Sequence, residues 1–323
     1  MSGGSTKRRH IEVPGSSQSS TQGKLDRFRG RWRIVCAALL WSTSGFFVKS
    51  HWFDSWPIET RGIQLAFWRC LFAGLFLLPL VRRPRWSWRL VPAGLFFLAM
   101  NVTYLTAMTS TTAANAIWLQ YTAPMWVLFI GVGFFKETAT RADHWMIGLC
   151  MLGVLVIVSC EVCAALVLGY SFEGIVWGVI GGISFAGVIL SMRTLRDLDS
   201  LWMVTWCMLT TAVALGPYVV WTNQWPSTPQ WMPLVLFGVA QLGVGYVLFA
   251  MGVRSISGHE ASGILLLEPI LVPIWVFVAW RNSPGYTPPA IWTIVGGGFI
   301  LVGLLIRYVP RGMGRDLFWH RAK

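Results

Sequence analysis

Ten apolar runs, each near the ~20 residues needed to cross a ~30 Å hydrocarbon layer, recur along the chain and are separated by short polar stretches. They fall near 34–53, 63–81, 90–108, 113–135, 144–160, 174–192, 202–221, 232–251, 261–280 and 290–307. Only an α-helix or a closed barrel satisfies its own backbone in lipid, and runs this long are helices. The pattern predicts an all-α polytopic membrane protein with ten transmembrane helices, and the short connections make neighbouring spans antiparallel.

Two of the runs are interrupted. The fourth carries Asn115, Gln120, Thr122 and a mid-segment Pro124. Proline donates no backbone hydrogen bond, so the carbonyl of Gln120 is freed, which lipid tolerates only where protein or a wet cavity takes it up. The ninth carries Glu268, Pro269 and Pro273. Both are expected to kink and to line a cavity. With Pro124 set on Pro269, the preceding Ala107-Met108 is echoed by Ala250-Met251, and each broken run leads to a glycine pair, Gly148/Gly153 and Gly298/Gly303. The chain thus divides into two five-span repeats, 32–160 and 172–308. Five is odd, so the second repeat enters the membrane inverted, the layout of many secondary transporters.

Composition agrees: 55% hydrophobic and 12% charged residues. Twenty Trp, many near run ends, suit the headgroup level. The net charge of +13 would raise the question of nucleic acid, but its distribution answers it. Alternate connections and the two tails collect 22 Lys and Arg on one side, against Lys49, Arg61 and Arg281 on the other. By the positive-inside rule both termini are cytoplasmic, and no nucleic-acid partner is implied. Residues 1–31 and 309–323 read as basic tails, the first too poor in apolar residues to fold alone. Cys160 and Cys163 form an isolated C-x-x-C with no second pair or nearby His, so no metal site is expected.

Candidate site residues lie within the runs. Arg69 is an intramembrane cation that either faces a partner or snorkels to the nearby interface; as a ligand group it would favour a carboxylate or phosphate. Glu268 could bind a cationic group or carry a proton. Asn115, Trp118 and Thr122 share one helical face at spacings of three and four, while Gln120 and Tyr121 point elsewhere. Trp41 and Ser44, Asn101 and Tyr104, and Gln241 and Tyr246 add aromatic walls and a few hydrogen-bonding groups, suited to a small amphipathic molecule. Interhelical packing is the alternative role for each. No Ser/His/Asp set, metal cluster or phosphate loop is visible, so neither an enzyme nor a cofactor is expected.

The segments L-W-S-T-S-G-F-F (40–47), F-W-R-C-L-F-A-G-L (67–75), A-A-N-A-I-W-L-Q-Y-T-A-P (113–124), Lys136-Glu137 and L-L-E-P (266–269) resemble the drug/metabolite transporter superfamily of the EamA type. The resemblance implies a bacterial inner-membrane carrier, often an exporter of amino acids or related metabolites, working by alternating access. One departure is visible: where the first repeat has Glu137, the second has Asn282. The expected partners are a small-molecule substrate and the bilayer, with protons as a candidate coupling ion and a homodimer left open. The rival readings are a non-transporting receptor or scaffold and a channel-like facilitator.

Overall fold

The computed structural model describes residues 16–136, 139–168 and 171–309, all in helices and short connections. The first span is α1 (Ser16–Ser42) and α2 (Ser44–Val48). The second to seventh are α3 (Ile58–Leu77), α4 (Leu90–Ser110), α5 with α6 (Ala113–Gln120 and Ala123–Phe135), α7 (Arg141–Leu168), α8 (Glu173–Thr194) and α9 (Ser200–Thr222). The eighth is α10 (Thr228–Val235), a π-helical stretch (Leu236–Val244) and α11 (Gly245–Gly252); the ninth is α12 (Gly258–Leu265) and α13 (Leu267–Trp280); the tenth is α14 (Ile291–Tyr308).

Nine of the ten expected spans meet the length and hydropathy needed to cross a membrane among the described residues. The first falls short because α1 breaks at Thr43. There the Ser42 and Thr43 hydroxyls donate to the carbonyls of Leu39 (2.8 Å) and Leu40 (2.6 Å), offering the backbone an alternative to its own ladder. At the other end α1 reaches back to Ser16, so 16–31 is helical rather than an unstructured tail; a packed span extends its helix outward by one bond per added residue. Residues 1–15, Glu137 and the tail beyond 309 lie outside the described residues.

The prolines break the fourth and ninth spans rather than merely kinking them. α5 stops at Gln120 and α6 restarts at Ala123 with Pro124 in its first turn; α12 stops at Leu265 and α13 restarts at Leu267 with Pro269 in its first turn. In a first turn the missing N–H costs nothing. Both spans also open on a hydroxyl cap, with Thr112 accepting from the Asn115 amide and Ser257 from the Glu260 amide, each at 3.2 Å. Cap, eight-residue helix, break and proline recur at a constant offset, so the internal repeat is present in backbone geometry. Pro273, unlike Pro124 and Pro269, sits inside its helix.

Helices pair across the repeats: α4 with α8, α1 with α11, α3 with α9, α7 with α14 and α5 with α13. The α7–α14 contact is backbone on backbone, since a Cβ on Gly296 would meet the Gly153 carbonyl oxygen at 2.7 Å. One buried apolar cluster, including Val48, Trp68, Ala113, Ile117, Val272 and Val276, closes the end of the molecule that holds Lys49. At the other end, the termini face, the packing falls into separate groups. Ile34, Ile256 and Ala261 join α1 to the ninth span, and Ala123, Val127 and Ala186 join α6 to α8. Arg31 pairs with Glu260 beside the first group, while Arg89 binds Asp197 and the Thr194 carbonyl next to a further cluster that holds Leu90 and Leu195.

Candidate functional site

Between the two broken spans the interior is polar. Arg69, on α3, is 4% exposed and so is enclosed by protein rather than reaching for an interface. Its Nη2 donates to Asn101 Oδ1, its guanidinium lies 5.0 Å from the Phe237 ring centroid, and its Nε has no partner. Asn101 is held in turn by donating Nδ2 to the Phe97 carbonyl at 3.0 Å. Phe237 and Gln241 belong to the π-helical stretch, a backbone form that recurs at functional sites.

Glu268 enters from the first turn of α13. Its Oε2 accepts from the Tyr121 hydroxyl at 2.7 Å, and that hydroxyl also lies 3.0 Å from the Leu265 carbonyl, one of the oxygens the broken span leaves free. Arg69 and Glu268 are within electrostatic reach of each other and of Tyr104 and Tyr246. Ser44 and Tyr104 share a hydrogen bond of 2.9 Å. Trp41 stands 4.8 Å from Tyr246, centroid to centroid, and its carbonyl accepts from Gln241 Nε2 at 3.0 Å. Trp41 Nε1 and Gln241 Oε1 are buried without partners. A β-carbon on Gly245 would strike the Trp41 indole, so this glycine makes room for the aromatic wall.

The structure therefore gathers Trp41, Ser44, Arg69, Asn101, Tyr104, Gln241, Tyr246 and Glu268 into one region with opposite charges, aromatic walls and three unpartnered polar atoms. An unmet buried donor or acceptor costs about 1–3 kcal/mol. Such atoms are tolerated where water or a solute can take them up.

Asn115, Trp118 and Thr122 are placed elsewhere. Asn115 donates to Glu161 Oε1 at 2.7 Å and accepts from the Thr293 hydroxyl at 2.7 Å, tying α5 to α7 and α14. Trp118 covers Gly297 of α14, and Thr122 sits against Gly182 of α8 with its hydroxyl turned back to the Leu119 carbonyl. Their shared face meets neighbouring helices, whereas Tyr121, expected to point away, meets Glu268. The break after Gln120 resets the helical phase that the spacing assumed. Glu161 was also missed as an acid within a span, because α7 continues eight residues past Cys160 to Leu168; the apolar V-C-A-A-L-V-L after it is the signal. Trp292 Nε1 adds a bond to Glu161 at 3.1 Å. Cys160 and Cys163 are both free thiols.

The model of the EamA-like transporter family matches twice, over 29–159 and 172–309. Curated relatives include an uncharacterised transporter of Archaeoglobus fulgidus, 26% identical over 282 residues, 86% of this chain and 96% of the relative. The uncharacterised transporter YxxF of Bacillus subtilis is 26% identical, covering 86% and 89%. The pseudopaline exporter CntI of Pseudomonas aeruginosa is 25% identical over 63% of this chain and 69% of its own. One crystal structure superposes with a TM-score of 0.58 at 15% identity over 87% of this chain and 98% of the other, a likeness of fold alone.

Proposed function

Because the chain belongs to the EamA-like transporter family and is a multi-pass membrane transporter, we propose that it is a secondary carrier that moves a small organic solute through the region between Arg69 and Glu268 by alternating access. The observation that carries this reading is the opposed charge pair with unpartnered Trp41 Nε1, Gln241 Oε1 and Arg69 Nε around it. The Arg69 fork suits a carboxylate, Glu268 suits an ammonium or a proton, and Trp41 and Tyr246 suit an apolar body. An amino acid or related metabolite has these parts. Export is the favoured direction, supported by the relative that bears an exporter's name.

The packing supports alternating access over a channel: an apolar cluster closes the Lys49 end while the termini end divides into separate groups. The inverted repeat offers the opposite arrangement as a second packing of near-equal energy. The Lys and Arg distribution supports cytoplasmic termini, and the resemblance to bacterial carriers supports residence in the inner membrane. The test is uptake of labelled amino acids and metabolites into proteoliposomes. Saturable uptake is expected from wild type. Arg69→Lys keeps the charge but loses the fork, and is expected to lower uptake tenfold or more, equivalent to about 1.4 kcal/mol. Full uptake by this variant would remove Arg69 from the site.

A further inference from the structure

A cavity of about 230 Å³ opens at the Lys49 end. It lies across the apolar cluster from the Arg69–Glu268 region, and its floor shares Val48, Ala113 and Val276 with that cluster. Its walls carry Lys49, His51, Asp54, Arg61, Trp280 and Tyr286. Lys49 follows the last residue of α2, beyond the first span's helix.

The charges there do not cancel. Asp54 is already shared, with Oδ2 2.8 Å from His51 Nδ1 and Oδ1 accepting from Arg61 Nη1 at 3.1 Å. Arg61 spends Nε and Nη2 on the Trp56 carbonyl, at 3.2 and 2.9 Å. Lys49 donates to the Thr111 carbonyl at 2.6 Å, a neutral acceptor, and an ammonium has two further donors. No carboxylate among the described residues pairs with it. Burial first, and the charge of Arg61 second, push the Lys49 ammonium down to about 8, as befits a cation lacking a counter-charge. Trp280, whose indole N–H is spent on the Phe46 carbonyl at 2.9 Å and whose ring is stacked on Phe46, lines the cavity with apolar atoms.

We propose that this cavity is a binding site for a small carboxylate, its charge held by Lys49 beside Arg61 and its apolar body lying against Trp280 and Tyr286. The volume sits just under the ~300 Å³ at which pockets for drug-sized ligands begin, so a solute of about one ring fits and a peptide does not. Binding does not require that the chain transport what it binds.

The test uses the full-length chain in lipid nanodiscs, with acetylation of Lys49 by a water-soluble succinimidyl ester followed by peptide mass spectrometry. Only the neutral amine reacts, so the rate should climb as pH rises through about 8. Millimolar benzoate should slow it several-fold by filling the cavity and holding the ammonium protonated, and Arg61→Gln should weaken that protection. Benzyltrimethylammonium, with the same ring, a fixed positive charge and no N–H to consume the ester, should give none. Equal rates with and without benzoate in folded protein would overturn the proposal, as would equal protection by benzyltrimethylammonium or a Lys49 that never reacts. Labelling reads occupancy and not flux, so its failure leaves the transport reading standing, and the reverse holds too.

Discussion

In the proposed carrier, Glu268 is the residue on which proton coupling would turn. Its carboxylate faces the same region as Arg69, accepts a hydrogen bond from Tyr121, and stands where α12 and α13 part. If transport uses protons, Glu268→Gln should leave uptake driven by substrate alone in place and remove its dependence on a pH gradient. Uptake that still follows the gradient in the variant would place the proton elsewhere. Residues differ in how legible they were. Arg69 and Glu268 stood out because charge inside an apolar run is costly and demands a reason. Tyr121 was hidden because its direction depends on a break whose exact place no periodicity gives. Asn115 misled because a polar side chain that joins three helices leaves the same trace in sequence as one that faces a solute.

The elements were read more surely than the residues. Run length and proline located the paired interruptions of the fourth and ninth spans, because these signals act locally on the backbone. The π-helical stretch was invisible: nothing in L-F-G-V-A-Q-L-G-V distinguishes it from an α-helix with glycines, and close packing of Gly238 on Arg69 and Phe72 accompanies it. Nor did sequence say which glycines matter. On α7, Gly153 lies against the backbone of Gly296, whereas a side chain on Gly148 would meet open space. Gly153→Leu is therefore expected to separate α7 from α14 at a cost of about 1–3 kcal/mol, and Gly148→Ala to be neutral or stabilising by about 0.5–1 kcal/mol. Thermal unfolding in detergent would check both. Equal melting temperatures for the two variants would show that the α7–α14 contact is not rigid.

At the scale of the whole molecule, repeat number, inverted topology and membrane class were legible because alternate charge and span count are global sums that tolerate local error. The state of the proposed carrier was not, since alternating access would offer the same helices two packings. At the Lys49 end α5 packs against α13, with Ala113 and Val276 in one apolar cluster. The most direct test is counterflow in proteoliposomes by a chain bearing Ala113→Cys and Val276→Cys, measured oxidised and reduced. Alternating access predicts saturable exchange in the reduced protein, its loss when a disulfide clamps this end shut, and its return on reduction. Exchange that continues undiminished through the formed crosslink would contradict it, because the solute would then have crossed without that end ever opening.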